Sequence, residues 1–422
     1  MAPRLPGITT VRGVATLLAL AGAIGLASFA AADTGDLQRD PYGGWTALKG
    51  QRTGFFHTQQ IAGKWWFVTP DGNVFWSKGC CGVVFDADVA RSLGYSPYNR
   101  AAMARYGSET KWATATAARL HDWGMNTLGA WSSPQMQHTG FAYTVEASLG
   151  GAADSELWRT ARFPDVFSPE WIDAVDRRAA QLCRPLAADP WLLGYFSDNE
   201  LTWGDDWRTG NSLLEIYLKM PPSTPGRKRA EQFVRDYGGS LTSAMKDEFL
   251  ATVARQYFKV CHDAIHAHDP NHMVLGCRFT GFTLDPVLRA MRGQVDVVSY
   301  NYYLNEAPVK LLRRISAITG RPAMITEFSF KAMDSGLPNT IGDGAPVATQ
   351  QERVDHLEAY VRGIARMPEC VGYHWFEWVD EPKEGRPDGE NSNYGLVRID
   401  DTPYELLTAR LRSMNRNIES SR

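Results

Sequence analysis

The sequence predicts an α/β protein built on a closed (β/α)8 barrel. Short apolar segments recur along the 422-residue chain, and each ends in polar or aromatic residues and leads into a helical pattern. Eight parallel strands close such a barrel, whereas the alternative, an open doubly wound sheet, usually carries a glycine-rich phosphate loop after its first strand, and this chain has none there. The eight predicted strand segments are 77–83, 126–131, 141–148, 192–200, 272–279, 295–303, 322–330 and 371–380.

Helix boundary signals lie between these segments. Ser168 precedes Pro169, a residue suited to the first helical position, and the apolar residues that follow recur at helical spacing. Thr349-Gln-Gln-Glu352 has the form of a capping box and predicts another helix directly before the last segment. These signals support a helical crossover between successive strands.

Two stretches depart from this alternation. Residues 63–68 and 73–76 are β-rich and flank the turn-forming tetrapeptide Thr-Pro-Asp-Gly, which predicts a hairpin before the barrel. A longer insertion, 205–247, separates the fourth strand from its main helix and is broken by several prolines. Because long loops after barrel strands usually shape the active site, we expect the insertion to lie near it.

The N-terminus has the pattern of a signal peptide. Arg4 and Arg12 precede an apolar run over residues 14–31, which closes on the small-residue sequence Ala30-Ala-Ala32. A membrane anchor is the alternative, but a basic flank that would stop transfer is lacking. We therefore predict a secreted protein without membrane attachment after cleavage. The chain divides into a signal peptide (1–32), an N-terminal β segment that packs on the barrel (33–76) and the barrel that carries the active site (77–422).

Composition narrows the classes of partner and cofactor. A formal net charge of −3 provides no field that would hold the chain on nucleic acid. The 6 cysteines lack metal-ligand spacing and are predicted to be buried thiols, and the 9 histidines do not cluster at strand ends as a metal-dependent barrel hydrolase would require. We predict neither a metal nor another cofactor. The 14 tryptophans could stack on sugar rings or fill the core.

Two glutamates stand at the ends of predicted strands. Glu200 closes the fourth segment, after an apolar run that ends in Ser-Asp-Asn, and Glu327 lies within the apolar seventh segment. Catalytic groups of barrel enzymes project from these strand ends. A buried carboxylate is costly unless it is paired, so Glu327 requires an explanation. Catalysis is one explanation, and a structural ion pair with Arg278 is the other.

Paired carboxyls at this position suit glycoside cleavage. One carboxyl protonates the departing oxygen while the other attacks the anomeric carbon, and retention of configuration requires them to be roughly 5 Å apart. Strands four and seven face each other across a barrel, so inward-pointing glutamates can meet over its mouth.

With these residues the sequence resembles the clan A retaining glycoside hydrolases. Asn199-Glu200 and Glu327 are similar to the clan's acid/base and nucleophile, and Asn301-Tyr-Tyr303 and Tyr373-His-Trp375 supply its strand-six tyrosine and strand-eight tryptophan. Within the clan the chain is most similar to the β-agarases of glycoside hydrolase family 50. The matching motifs are Gly194-Tyr-Phe-Ser-Asp-Asn-Glu-Leu-Thr-Trp-Gly204, Leu275-Gly-Cys-Arg-Phe279, His374-Trp-Phe-Glu-Trp378 and Asp388-Gly-Glu-Asn391.

The resemblance implies roles for further residues. Asn199 would bond the sugar 2-hydroxyl, Tyr303 would orient Glu327, and the other residues implied to line the glycone subsite are Arg278, Asn301, Trp375 and Glu377. Trp131 and Trp203 are further candidates as loop aromatics that stack on sugars. Core packing is the structural alternative for the aromatics, and an internal partner for Glu377.

The resemblance therefore implies a secreted retaining β-glycoside hydrolase that cleaves a β-galactan-type polysaccharide or oligosaccharide. A carbohydrate is the expected partner. The chain leaves no room for the large N-terminal carbohydrate-binding region typical of the family, so other sugars stay open. Alternatives are an exo-acting β-galactosidase, another clan A β-glycosidase, and a non-catalytic carbohydrate-binding barrel.

Overall fold

A computed structural model describes residues 37–206 and 208–422. The predicted signal peptide, 1–32, lies outside the described residues. Within the described part of the chain, no helix combines the length and the apolar character needed to cross a membrane.

Eight parallel strands form one curled sheet in which neighbours in sequence are neighbours in space. This order is that of a (β/α)8 barrel and differs from a doubly wound sheet, where the strand order reverses. The two outer strands approach each other through a parallel bridge between Phe279 and Tyr300 and a hydrogen bond from the Asn301 amide to the Phe279 carbonyl. The strands are β5 (Ser77–Cys80), β6 (Thr127–Leu128), β7 (Ala142–Glu146), β8 (Leu192–Phe196), β9 (Met273–Val274), β10 (Val298–Asn301), β11 (Ala323–Glu327) and β14 (Cys370–Trp375).

The predicted alternation of strands and crossovers is confirmed as an eight-stranded parallel sheet, consistent with the barrel. All eight strands fall on the predicted segments, with β14 beginning one residue early at Cys370. Nearly every residue of these strands is buried, because parallel strands are covered on both faces.

A second, antiparallel sheet precedes the barrel. Its strands are β1 (Trp45–Lys49), β2 (His57–Ile61), β3 (Lys64–Val68) and β4 (Asn73–Phe75), and β3 and β4 form the predicted hairpin. Phe67 and Phe75 pack in one apolar cluster with Leu193, Met324 and Val371, which lie near the starts of barrel strands. The antiparallel sheet thus covers the end of the barrel remote from the carboxyl ends of the strands.

Helices surround the parallel sheet, and the two predicted caps are present. Ser168 accepts a hydrogen bond from the Trp171 amide, and Thr349 accepts one from the Glu352 amide at 3.2 Å. The helices are α1 (Pro97–Tyr106), α2 (Glu109–Asp122), α3 (Glu156–Ala161), α4 (Pro169–Cys183), α5 (Leu213–Leu218), α6 (Pro225–Tyr237), α7 (Ser243–His268), α8 (Asp285–Ala290), α9 (Val309–Thr319), α10 (Gln350–Ala365) and α11 (Glu405–Asn415).

Two long loops extend from the carboxyl ends of the strands. The predicted insertion contains α5 and α6, which its prolines separate. The loop between β11 and α10 carries a two-stranded parallel ladder formed by β12 (Phe330–Ala332) and β13 (Ala345–Val347). All 6 cysteines are buried free thiols, as predicted.

A buried ion pair joins the first barrel strand to the C-terminal segment. The Lys78 ammonium donates to Glu419 at 2.7 Å and to the Asn415 carbonyl at 3.0 Å, and both Glu419 oxygens also accept from Arg39 at 2.9 Å. Burial lowers the pKa of Lys78 to about 8, although Glu419 favours its charged form. Glu419 therefore compensates two cations at once.

Replacing Glu419 with glutamine should destabilise the fold. The substitution leaves Lys78 buried without its counter-charge, and breaking a buried pair from one side costs about 3–5 kcal/mol. Urea unfolding followed by tryptophan fluorescence measures the change, with the exposed Glu405→Gln on α11 as control. Equal unfolding free energies for the two variants would contradict this prediction.

Candidate active site

A cleft of about 630 Å³ opens at the carboxyl ends of the barrel strands. It contains both predicted catalytic glutamates and is otherwise lined by acidic, aromatic and small residues. The lining residues are Gly82, Val84, Asp86, Ala87, Asp88, Val89, Trp131, Asn199, Glu200, Tyr303, Glu327, Asp343, Phe376, Glu377, Val379, Arg386, Pro387, Glu390 and Tyr394.

Glu327 is the last residue of β11 and is buried. Its Oε1 is paired with the Arg278 guanidinium, and its Oε2 accepts a hydrogen bond from the Tyr303 hydroxyl at 2.5 Å. Burial raises the pKa of Glu327 to about 7, while Arg278 and Tyr303 act in the opposite direction and Glu200 adds to the rise. The carboxylate is thus fixed on both oxygens, and its ionised form is favoured by the groups it touches.

Glu200 lies four residues beyond the end of β8, in a left-handed backbone conformation with φ 54°. Its amide donates to the Arg278 carbonyl at 3.1 Å, and its Oε1 accepts from the Asn301 side-chain amide at 2.9 Å. Burial raises the pKa of Glu200, and the Asn301 hydrogen bond and Arg278 oppose that rise. The two carboxyls therefore differ, because only Glu327 has a direct cationic partner.

Arg278 and Asn301 connect the two glutamates. Arg278 binds the Glu200 amide with its carbonyl and pairs with Glu327 through its guanidinium. Its guanidinium also stacks over Trp131, 4.3 Å from the ring centroid. Asn301 donates to Glu200 and accepts a hydrogen bond from the hydroxyl of Thr326, the neighbour of Glu327, at 2.8 Å. A shift of either residue would displace both carboxyls.

The predicted site residues fall into three groups. Trp131, Asn199, Tyr303 and Glu377 line the cleft with the two glutamates. Arg278 and Asn301 lie at the base of the site, buried, and contact the glutamates from beneath. Trp375 and Trp203 lie elsewhere.

Trp375 is buried in the core and does not line the cleft. It packs against Phe328 with ring centroids 5.3 Å apart and donates from its indole to the Tyr394 carbonyl. The next residue, Phe376, lines the cleft instead and meets the Trp131 ring edge to face. The expected subsite role of Trp375 is therefore corrected: successive side chains point to opposite faces of a strand, and Phe376 has the facing position.

Trp203 also packs in the core, among aromatic rings of the surrounding helices. Its ring stacks on Phe258 with centroids 5.4 Å apart and meets Phe163 at 5.0 Å. It is absent from the cleft wall, so its expected sugar-stacking role is corrected to packing. Trp131, by contrast, is 43% exposed at the cleft mouth.

A second cluster of carboxyls surrounds Arg386 in the cleft wall. Arg386 forms ion pairs with Glu381 at 3.2 Å, Glu390 at 2.7 Å and Asp388 at 3.0 Å. Burial raises the pKa of Glu377 well above its usual value and that of Glu381 to about 10, and Arg386 opposes both shifts. In the sequence, Asp388-Gly-Glu-Asn391 stands out only as a matching motif, and no pattern there points to Arg386. In the described residues, no group of three or more histidine, cysteine or acidic side chains is arranged to hold a metal ion.

Known β-agarases are similar to this chain in sequence. No protein family model matches the chain. Beta-agarase B of Vibrio sp. (strain JT0107) is 28% identical over 90% of this chain and 50% of its own length. Beta-agarase A of the same strain is 30% identical over 79% of this chain and 38% of its own length. The chain thus spans half or less of the length of these curated relatives.

Solved structures give the same likeness in three dimensions. An agarase, AgWH50C, superposes with a TM-score of 0.80 and 27% identity, covering 92% of this chain and 67% of its own. An exo-beta-agarase superposes with a TM-score of 0.79 and 25% identity, covering 92% and 68%. The chain is similar to β-agarases. The likeness extends over most of its length in both sequence and fold, which confirms the resemblance to β-agarases inferred from its motifs.

Proposed function

We propose that this chain is a retaining β-glycoside hydrolase that cleaves a β-galactan-type polysaccharide or oligosaccharide. Glu327 is the nucleophile and Glu200 the general acid/base. The observation that carries the proposal is the convergence of both glutamates on one cleft, where Arg278 and Asn301 join them. The similarity to β-agarases supports the substrate class.

The reaction proceeds by two displacements. Glu327 attacks the anomeric carbon while the glycosidic C–O bond breaks, and Glu200 transfers its proton to the departing oxygen. Glu200, now ionised, takes a proton from water, and the resulting hydroxide releases the sugar from Glu327. Glu200 then carries a proton again and Glu327 is free. Two inversions restore the original configuration.

The direct contacts of the two carboxyls support this division of roles, although burial raises the pKa of both and that of Glu327 to about 7. Arg278 and Tyr303 bind Glu327 directly and favour its ionised form, which the nucleophile requires. Glu200 receives its hydrogen bond from a neutral amide, and burial raises its pKa, which favours the protonated form that an acid requires. Unequal environments for two neighbouring carboxyls are the usual basis of such a division.

The cleft wall supports recognition of a sugar chain. Trp131 and Phe376 provide aromatic faces, while Asn199, Glu377 and Arg386 provide hydrogen-bonding groups. Aromatic faces suit the C–H faces of sugar rings, and the many polar groups beside them suit sugar hydroxyls. We further propose secretion, supported by the signal-like pattern of residues 1–32.

Replacement of each glutamate with glycine should abolish hydrolysis of agarose. On an aryl β-galactoside, whose phenolate leaves without a proton, azide should restore turnover to both variants with opposite stereochemistry. In Glu327→Gly, azide occupies the vacated position and displaces the leaving group once, giving an α-glycosyl azide. In Glu200→Gly, azide attacks the intermediate on Glu327 and gives a β-glycosyl azide. Proton NMR of the products distinguishes them. Near wild-type activity of Glu327→Gly without azide would reject the assignment of the nucleophile. If the wild-type protein binds the sugar but does not cleave it, the chain is instead a non-catalytic carbohydrate-binding barrel.

The Tyr303→Phe variant should lose activity at the acidic side of the pH profile. The Tyr303 hydroxyl lowers the pKa of Glu327, so its removal raises that pKa, and a higher pH is required to ionise the nucleophile. The acidic limb of kcat/KM should move to higher pH, with a loss of about tenfold at the optimum, comparable to one hydrogen bond to a charged group. An unshifted acidic limb would contradict the role of Tyr303.

The Asn301→Ala variant should shift the alkaline limb of the pH profile. The Asn301 amide lowers the pKa of Glu200, so its removal raises that pKa and extends the range over which the acid stays protonated. The alkaline limb of kcat/KM should therefore move to higher pH, even though the maximal rate falls. A shift of the acidic limb alone would assign the two glutamates the reverse roles.

A further inference from the structure

A second hollow of about 640 Å³ adjoins the cleft. Tyr303 and Asp343 line both, so the two spaces are neighbours that share part of a wall. Asn301 lines the second hollow only, and its amide is bound to Glu200. Glu377 and Arg386 line the cleft only. The second hollow therefore borders Asn301, the residue bound to the proposed acid, and its lining does not include the charged cluster.

The hollow carries an unusually exposed apolar surface. Phe282 is 76% exposed and Leu304 is 62% exposed, and both line it together with Tyr302. Exposed apolar patches next to a binding site commonly belong to that site. The lining of the hollow is mostly apolar, and its charged residues, Lys310, Arg314 and Asp343, have both signs. The hollow therefore favours an uncharged ligand over an ionic one.

The aromatic residues of this surface are held in place. Arg314 stacks on Phe282, 5.1 Å from the ring centroid, and its guanidinium is fixed by Asp285 at 3.1 Å and by the Thr283 carbonyl at 2.8 Å. The Tyr302 amide donates to the Glu327 carbonyl at 2.8 Å. A ring supported from one side presents its other side to a ligand at little further entropic cost.

We infer that this surface, defined by Phe282, Tyr302 and Leu304, binds the leaving-group side of the sugar chain. The inference rests on the proposed function, because the acid Glu200 must reach the departing oxygen and the sugar beyond that oxygen must lie on the same side. A pyranose ring presents an apolar face of C–H groups that suits an exposed aromatic ring. Binding at this distance from the cleaved bond holds the chain in register during the reaction.

The Phe282→Ala variant tests this inference by its dependence on chain length. On an octasaccharide fragment of agarose we expect kcat/KM to fall about tenfold, and on an aryl β-galactoside, which has no sugar on the leaving-group side, by a clearly smaller factor. Phe282→Trp should retain the octasaccharide rate. Leu406→Ala, which removes a 56% exposed leucine on α11, serves as the matched surface control. Equal losses on both substrates, or no loss, would overturn the inference.

Binding separates this inference from the proposed function. Calorimetric titration of the octasaccharide into Glu327→Gln, with and without Phe282→Ala, should give an affinity about tenfold weaker in the double variant. Equal affinities, or no binding to either, would overturn the inference. Failure of the wild-type protein to cleave any β-galactan would instead refute the proposed function. The titration measures the affinity of the surface for the octasaccharide whether or not the protein cleaves it.

Discussion

The buried ion pair between Arg278 and Glu327 is the constraint on which the site depends. Both side chains are buried. The free-energy cost of desolvating two charges is offset only when the geometry of the pair is good and further hydrogen bonds are formed. Tyr303 and the Thr326 carbonyl supply two of those bonds. Removing either partner would leave an uncompensated charge in the barrel, so the pair constrains the positions of β11 and of the segment after β9 together.

A backbone hydrogen bond connects Arg278, one member of this pair, to Glu200. Glu200 and Arg278 both have left-handed φ values, 54° and 47°, and the amide of the first donates to the carbonyl of the second. Trp131, which covers the Arg278 guanidinium, has φ 61°. Such conformations cost about 1–3 kcal/mol each outside glycine and persist where surrounding contacts enforce them. Two of these residues, Glu200 and Trp131, each contact the third, Arg278, which indicates that the group is positioned at the expense of local stability.

Much of this arrangement could be predicted from the sequence, for physical reasons. Strands buried on both faces are mostly apolar, so their segments were recognisable, and a glutamate within one of them, Glu327, stood out at once. Caps such as Ser168 depend only on neighbours within one turn. The orientation of Trp375 against Phe376 depends on a one-residue choice of face at the end of β14, where both are large and apolar. Trp203 likewise follows a turn whose direction is set by distant packing. Arg386 pairs with carboxyls of its own irregular loop, whose conformation no periodic sequence pattern predicts.

The cluster around Arg386 completes the electrostatics of the cleft. One guanidinium serves Glu381, Asp388 and Glu390 together, and burial raises the pKa of Glu377 and Glu381. Because burial disfavours the charged forms of Glu377 and Glu381 and Arg386 only partly opposes this, part of this group is neutral at pH 7 and can donate as well as accept hydrogen bonds. Sugar hydroxyls also do both. A sulfate or carboxylate on the ligand would instead meet the remaining negative charge, so the cleft wall is better matched to an uncharged sugar than to an anionic one.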